Sequence, residues 1–196
     1  GKTVLLSQEK ALSLIAQGKK GLEIDSLRQY PNKESFSHVL GYTGQISEEE
    51  LKSSSFSSYN LGDIIGKAGI EQQYEQKLRG TDGKELYEID ASGNLVRKLG
   101  QQEPIPGQNI TLTLDAKLQK AAYEAAKDVK KGSVIVSTSK GEILALISKP
   151  SFDPNLFTMG EGYKLSTSSS YLTLSDILSD NTNQPLLDRS IAGVYP

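Results

Sequence analysis

The stretch from Gly66 to Gly93 constrains the fold more than any other part of this chain, because helix, cap, turn and strand signals follow one another there. Ile70, Tyr74 and Leu78 recur every four residues, so they would share one face of a helix. The opposite face would carry polar side chains, namely Glu71, Gln72, Glu75, Gln76 and Arg79. Gly80 follows as a C-terminal stop. The spacing therefore predicts a single helix with an apolar packing face.

A β-hairpin is predicted directly after this helix. Thr81 to Gly83 has turn chemistry, and the strand from Lys84 to Asp90 would alternate apolar and polar side chains. A second turn at Ala91 to Asn94 leads into another strand from Leu95 to Leu99. Nothing in this stretch suggests catalytic chemistry, and we interpret it as a structural hub.

Composition excludes several classes of function. The 196 residues carry 22 basic and 24 acidic side chains, a net charge of −2, so no basic surface for nucleic acid is expected. The sequence has no Cys and one His, which excludes disulfides and thiol catalysis and leaves almost no means of building a zinc site. No run of about 20 apolar residues is present, so no segment of this sequence is expected to span a bilayer.

Shorter elements are predicted before the hub. A helix from Gln8 to Ala16, capped by Ser7, would bury Ala11, Leu12 and Ile15. A half-exposed strand is predicted at 22–25, and Ser47 and Glu50 have the spacing of a capping box. His38 lies beside apolar residues, where a lone histidine is most often a packed, hydrogen-bonded ring. A surface loop is expected at 53–60, anchored by Phe56 and Tyr59.

A second unit is predicted after a linker at 101–107, which contains two prolines and a glycine. It would begin with a strand at 110–114, followed by a helix that Asp115 caps and that continues to about Lys130. Two strands at 133–136 and 142–147 would then form a hairpin. Beyond Pro150 we expect an extended surface excursion, first in SFDPNLF and then in the Ser/Thr-rich run at 166–170.

Two short motifs imitate the active-site signatures of serine acyl-enzymes. Ser137 to Lys140 fits Ser-x-x-Lys, and Ser179 to Asn181 fits Ser-Asp-Asn. The chemistry requires the Ser and Lys one helical turn apart, so that the amine faces the hydroxyl. The first motif instead lies between two predicted strands and continues into Gly141, which predicts a turn. A small self-contained acyl-enzyme using Ser137 and Lys140 is the alternative hypothesis, and a turn there would exclude it.

Five ordered blocks of sequence resemble one protein family. They are RQYP with HVLGYTGQI, GDIIGKAGIEQQYEQKLRG, LTLDAKLQKAA, GEILALISKPSFDPNLF and PLLDRSIAGVYP. In this order they are similar to the class B penicillin-binding proteins, the peptidoglycan D,D-transpeptidases that cross-link the bacterial wall. HVLGYTG and GDIIGKAGIEQQYE are more similar to the elongation type, penicillin-binding protein 2, than to the division type.

The resemblance implies an α+β fold in two parts. Residues 1–107 would form a non-catalytic, dimerisation-type pedestal of antiparallel strands and short helices. Residues 108–196 would contain the first helix and β-hairpin of the transpeptidase domain. In this family a Pro-Gly-Ser-x-x-Lys motif with the acylated serine follows Tyr-Pro, and here Tyr-Pro is the end of the sequence. We therefore expect no catalytic, cofactor-binding or metal-binding residue in these 196 residues, and only the longer parent would bind β-lactams and peptide stems.

The resemblance also implies partners and a location. The pedestal would contact a glycan-polymerising membrane partner and the elongation scaffold, on the extracytoplasmic face of the bacterial cytoplasmic membrane. An N-terminal transmembrane helix outside this sequence would anchor it. The candidate interdomain or partner contacts are Arg28, Tyr30, His38, Glu71 and Arg79.

Two further hypotheses concern the chain by itself. The chain is either a truncated fragment of such an enzyme or a natural regulatory pseudoenzyme that ends at Pro196. In a fragment, the apolar faces of the second unit would lack later elements to pack against. We therefore expect residues after about Ser151 to be poorly ordered, or the open sheet to be covered in a dimer.

Overall fold

The computed structural model describes residues 8–19, 27–92, 94–159, 163, 165 and 169–193. Helix α1 occupies Gln8–Ala16, the range predicted from the sequence. The prediction of a buried stripe is wrong, because Leu12 is 58% and Ile15 50% exposed. Helical spacing determines which residues share a face, but not whether another element covers it. The Ser7 cap and the strand predicted at 22–25 lie outside the described residues.

A small two-stranded sheet follows, preceded by a 3₁₀ turn at Lys33–Phe36 and helix α2 at Ser37–Leu40. Strand β1 (Thr43–Gln45) pairs antiparallel with β2 (Ile64–Gly66). Between them lie helix α3 (Glu48–Leu51), with the predicted capping box of Ser47 and Glu50, and a 3₁₀ turn at Ser54–Phe56. The sequence did not predict β1 or β2, because three residues are too few for an alternating pattern to be recognised.

The predicted hub helix is broken at Tyr74. Helix α4 covers Gly69–Gln73 and helix α5 covers Glu75–Arg79, with Tyr74 between them at φ −114° and ψ 20°. The Glu75 carboxylate accepts hydrogen bonds from the Gly66 N–H at 2.7 Å and from the Tyr59 hydroxyl at 3.1 Å. These two hydrogen bonds fix the position of α5. The four-residue spacing of Ile70, Tyr74 and Leu78 could not predict them, because they depend on residues outside the helix. The predicted stop at Gly80 is confirmed, at φ 77°.

The hairpin after this break is confirmed. Strand β3 (Lys84–Ile89) pairs antiparallel with β4 (Leu95–Gln102), and the ribbon is exposed along almost its whole length. The predicted linker at 101–107 is not free chain. The N–H of Thr81 and the N–H of Ile105 each donate to the other residue's carbonyl, at 2.8 and 2.9 Å, so the chain folds back against the end of α5. The domain boundary near residue 107 stays a prediction.

The second half of the chain is built on one helix and one hairpin. Helix α6 covers Ala116–Ala125, and Asp115 caps it by accepting the N–H groups of Lys117 and Leu118. Strands β5 (Gly132–Ser137) and β6 (Ile143–Lys149) form the predicted antiparallel hairpin. The strand predicted at 110–114 is wrong. That segment contacts the start of β6 through isolated hydrogen bonds and not through a ladder. Thr113 Oγ1, for example, donates to the Ile143 carbonyl at 2.7 Å.

The predicted surface excursion SFDPNLF is instead part of the core. Phe152, Asp153 and Asn155 are almost fully buried, and helix α7 (Asn155–Thr158) starts within this segment. Phe152 packs with Tyr171 and with Ile177 of helix α8 (Leu174–Ser179). Residues 151–159 are therefore packed within the fold, and the expectation of poor order after Ser151 stays a prediction. None of the helices in the described ranges is both long and apolar enough to cross a membrane.

Candidate functional site

Asn155 connects two segments that lie 125 residues apart in the sequence. Its Oδ1 accepts the Tyr30 N–H at 2.8 Å, and its Nδ2 donates to the Tyr30 carbonyl at 2.9 Å. Asp153 Oδ1 accepts the second Nδ2 hydrogen at 2.7 Å and the Asn155 N–H at 2.9 Å. The Tyr163 hydroxyl donates to Asp153 Oδ2 at 2.9 Å. We call Tyr30, Asp153 and Asn155 the polar joint, since together they fix the 27–30 segment against α7.

The phenol of Tyr163 responds to this environment. Burial and the hydrogen bond to Asp153 raise the pKa of Tyr163 to about 12. The hydroxyl thus stays protonated over the physiological range and continues to donate to the buried carboxylate.

An aromatic cluster lies beside the polar joint. His38 packs edge-on against Phe152, with ring centroids 5.4 Å apart and planes at 74°. Tyr42 stacks on Phe157 at 3.8 Å and meets Phe152 edge-on at 6.0 Å. These contacts join α2 and the residue preceding β1 to the 152–157 segment, and such ring pairs add stabilisation beyond the area they bury.

His38 is the packed, hydrogen-bonded ring that the sequence predicted. Its Nε2 lies 2.8 Å from the Pro185 carbonyl, which can only accept, so Nε2 carries the hydrogen of the neutral ring. Burial lowers the pKa of His38, opposed by the bond to Pro185 and by the nearby Asp188 carboxylate. The histidine therefore serves packing, and a catalytic role has no support in its surroundings.

Gln119 forms a second polar connection. Its side chain is fully buried on α6, and its Nε2 donates to the carbonyls of Ser35 at 2.7 Å and Leu146 at 2.8 Å. Its Oε1 accepts the Leu146 N–H at 2.8 Å. One side chain thus satisfies three backbone groups from the 3₁₀ turn and from β6, which places α6 against both.

Arg189 organises the last described segment. Its guanidinium donates to three backbone carbonyls, those of Asn183 at 2.6 Å, Gln184 at 3.1 Å and Leu187 at 3.4 Å. The Arg189 N–H donates to Ser148 Oγ at 3.0 Å, which ties the segment to β6. This arginine is buried without a carboxylate partner among the described residues, and its charge is met by carbonyl dipoles.

The structure places the predicted contact residues Arg28 and Glu71 together. Arg28 Nε lies 2.9 Å from Glu71 Oε1. Glu71 was expected on the polar face of the hub helix, but it is the buried residue of α4, whereas Ile70, Tyr74 and Leu78 are only partly buried. The helix face that carries Glu71 is therefore buried, although the sequence predicted it to be exposed. This is possible because a carboxylate with an arginine partner can be buried.

Arg79 is the last of the predicted contact residues. Its Nη2 bonds Asp63 Oδ2 at 2.6 Å and Asp82 Oδ2 at 2.9 Å, and its guanidinium lies 3.6 Å from the centre of the Tyr59 ring. The residue therefore connects α5 to the loop before β2. These contacts indicate a structural role for Arg79.

Neither imitation of an active-site motif has catalytic geometry. Ser137 is the last residue of β5, and the Gly141 N–H donates to the Thr138 carbonyl at 3.0 Å in a turn that contains Lys140. The self-contained acyl-enzyme hypothesis fails on its own criterion, because it required a helix there. Asp180 accepts the Tyr171 hydroxyl at 2.9 Å and the Asn183 N–H at 2.9 Å, so the second motif is structural. The described ranges hold no group of three or more His, Cys, Asp or Glu side chains able to bind a metal ion.

Sequence reasoning missed the three side chains that connect distant segments: Gln119, Asn155 and Arg189. Each is a polar residue, a type found mostly at the surface, so its identity carries no burial signal. The Asp-Pro-Asn run was a usable signal, because such a run favours a turn with side-chain to backbone bonds.

Comparison with known proteins gives the family. Residues 8–112 match the penicillin-binding protein dimerisation domain. Peptidoglycan D,D-transpeptidase MrdA of Acinetobacter baumannii is 41% identical over 175 residues, which is 89% of this chain and 25% of the relative. The chain belongs to the class B penicillin-binding proteins.

Solved structures of this family have the same fold. Penicillin-binding protein 2 of Helicobacter pylori, in a complex with MreC, matches with a TM-score of 0.67 and 29% identity, over 93% of this chain and 33% of that one. A structure of a peptidoglycan synthase complex that coordinates polymerization and crosslinking matches with a TM-score of 0.64 and 32% identity, over 92% of this chain and 33% of that one. The fold is thus the α+β pedestal with the start of a transpeptidase domain.

In this penicillin-binding protein three side-chain to backbone connections join the same two parts of the chain. Tyr30, Ser35 and His38 lie within the matched dimerisation domain, whereas Gln119, Asn155 and Pro185 lie beyond it. The buried bonds therefore run between the matched domain and the chain that follows it. This chain spans only a quarter of the length of the curated relative.

Proposed function

We propose that this chain is a positioning module of a bacterial peptidoglycan D,D-transpeptidase, with a pedestal at about 1–107 and the opening of the transpeptidase domain at about 108–196. The observation that carries the proposal is the polar joint, in which Asn155 binds both backbone groups of Tyr30. The side-chain amide of Asn155 and both backbone groups of Tyr30 have partners in these bonds, and buried bonds of this kind specify one orientation of the parts they connect. The module would hold the catalytic elements at a set height and angle above the membrane.

The acylated serine belongs, in this proposal, to a part of the protein outside these 196 residues. The turn at Ser137 to Lys140 supports this, since it leaves the chain's own Ser-x-x-Lys without the required helix. The parent would bind penicillin and cross-link peptide stems on the extracytoplasmic face of the membrane.

Among the predicted contact residues, we assign Tyr30 and His38 to the interdomain contact, because both bond to chain beyond residue 112. Arg28 is the better candidate for a partner contact, since 40% of its side chain is exposed. The partners would be a scaffold protein and a glycan-polymerising membrane protein. The support is that one similar structure contains MreC and another is a peptidoglycan synthase complex.

Incubation with a fluorescent penicillin tests the catalytic part of the proposal. We expect no covalent labelling of this chain and clear labelling of a longer parent that includes the Ser-x-x-Lys segment. Ser137→Ala in the longer parent should leave labelling unchanged, which serves as the matched control. Labelling of the 196-residue chain, lost in Ser137→Ala, would overturn the proposal.

The proposed positioning role is tested by comparing the rates of two reactions of the longer parent. Asn155→Ala in the longer parent should leave the acylated serine chemically intact but loosen the joint, so the rate of peptide cross-linking should fall more than the rate of acylation by penicillin. Equal loss of both activities would point to general unfolding and would contradict a positioning role.

A further inference from the structure

Three buried oxygen atoms near the polar joint have no hydrogen-bond partner within the described part of the chain. They are the Tyr30 hydroxyl, Thr43 Oγ1 and Glu71 Oε2. Their residues are 2%, 5% and 7% exposed, so bulk solvent does not reach the three atoms. A buried polar atom without a partner costs free energy that native proteins rarely tolerate, and three such atoms together are exceptional.

The three atoms come from separate segments that the fold brings together. Thr43 lies opposite Gly66 in the β1–β2 pairing. A side-chain carbon at Gly66 would lie 2.2 Å from the Glu71 carbonyl, so β2 and α4 are in close contact. Tyr30 is near both other residues. Burial, and then the negative charge of Glu71, raise the pKa of its phenol, whereas Thr43 acts in the opposite direction. Thr43 and Glu71 therefore act on the Tyr30 phenol at hydrogen-bonding range, but none of the three oxygen atoms has a partner with the distance and angles of a hydrogen bond.

We infer that Tyr30, Thr43 and Glu71 together bind one internal water molecule. A water supplies two donors and two acceptors, so it can donate to Glu71 Oε2 and to Thr43 Oγ1 and accept the hydrogen of the Tyr30 hydroxyl. Two to four polar partners are the usual requirement for such a water, and this cluster provides three.

A bound cation fits the cluster less well. Arg28 already neutralises Glu71 through the other carboxylate oxygen, Oε1, at 2.9 Å. Calcium takes six to eight oxygen ligands, and this cluster offers one carboxylate oxygen and two hydroxyls. Burial raises the pKa of Glu71 while Arg28 opposes the shift, so a water that donates to Oε2 would help to keep the carboxylate ionised.

The water would connect the pedestal to the polar joint. It would hold the ring end of Tyr30, whose backbone groups bind Asn155. One residue would then be fixed at both ends, by a side-chain amide at its backbone and by a water at its hydroxyl. The bound water extends the proposed positioning role. Its support is the three unpartnered oxygen atoms, so a test of the water does not depend on a test of the positioning role.

A high-resolution crystal structure of this chain, together with oxygen-17 relaxation dispersion, tests the inference. We expect a density peak within hydrogen-bond distance of all three oxygens and one long-lived water fewer in the Tyr30→Phe/Thr43→Val variant than in the parent sequence. Thr111→Val, at an exposed threonine, is the matched control and should leave the count unchanged. Direct bonds among the three side chains with no peak, or an unchanged count in the double variant, would overturn the inference.

A double-mutant cycle gives an independent measurement. Tyr30→Phe and Thr43→Val should each lower the folding equilibrium constant by about tenfold, the usual effect of one lost buried hydrogen bond. If both hydroxyls use one water, the double variant should lose clearly less than the product of about one hundredfold. Full additivity would show that the two hydroxyls act independently and would contradict a shared water.

Discussion

The side-chain amide of Asn155 replaces a neighbouring strand for Tyr30, because it accepts the Tyr30 N–H at 2.8 Å and donates to the Tyr30 carbonyl at 2.9 Å. Tyr30 lies in a segment without regular structure, so no ladder satisfies these two groups. The amide can do this because Asp153 accepts its remaining hydrogen and fixes its orientation.

Asn155→Ala should destabilise the chain by about 3 kcal/mol, since it leaves the buried N–H and carbonyl of Tyr30 without partners. Chemical denaturation of both proteins measures the difference. Asn109→Ala, at an exposed asparagine, is the control and should change stability by less than about 0.5 kcal/mol. Equal stability of Asn155→Ala and the parent sequence would show that the joint is dispensable.

Gln119→Leu should cost about 2–4 kcal/mol although it adds apolar surface to the core. The substitution keeps the volume roughly constant but removes the partners of the Ser35 carbonyl and of both Leu146 backbone groups. Urea unfolding checks this, with Gln76→Leu at an exposed site of α5 as the matched control. Stabilisation by Gln119→Leu would mean that these backbone groups find other partners.

His38 should make stability depend on pH as the pH falls below the ordinary histidine pKa of 6.5. Burial lowers the pKa of the folded ring from its ordinary value of 6.5, so the unfolded chain binds the proton more readily. The contribution is present above the unfolded pKa and is lost as pH falls through the folded one. Unfolding free energies of the parent sequence and His38→Gln, compared from pH 5 to 8, should diverge in this window.

The single histidine also permits a direct titration by NMR. Its midpoint should lie below 6.5, with Asp188 and Arg189 as the charged neighbours that act on the ring. A midpoint at or above 6.5 would contradict the sign of this prediction.

Gly66→Ala should be strongly destabilising, by about 2 kcal/mol or more, because the added carbon would lie 2.2 Å from the backbone carbonyl of Glu71. Gly100→Ala is the matched control, since a carbon added in β4 meets no atom within 4 Å. Thermal unfolding of the two variants should separate them by several degrees. Similar melting temperatures would show that α4 moves away from β2 at little cost.

Local elements were predictable because their signals lie within a few residues. The capping box of Ser47 and Glu50, the Asp115 cap and the two longer hairpins all follow from neighbouring residue types. The strands β1 and β2 were not predictable, since each is three residues long and is stabilised by the other across the 18 residues that separate them.

The candidate site was predictable only in part. Tyr30 and His38 were named from the sequence, and both contact distant chain. Their partners Asn155 and Pro185 were not. Asn155 lies in SFDPNLF, which has the composition of a turn-rich surface segment. Burial of that segment depends on the aromatic rings of Phe152, Phe157 and Tyr42 meeting across the fold.

The stretch from Gly66 to Gly93 shows most clearly which features depend on local sequence and which depend on tertiary contacts. Its sequence by itself determined a helical region, a glycine stop and a hairpin, since these depend on backbone preferences and on spacing along the chain. Only the tertiary structure decided that the helix breaks at Tyr74 and that Glu71 is buried beside Arg28 and Tyr30. The physical reason is that burial of a charge depends on partners brought from elsewhere in the chain, and no local pattern encodes them.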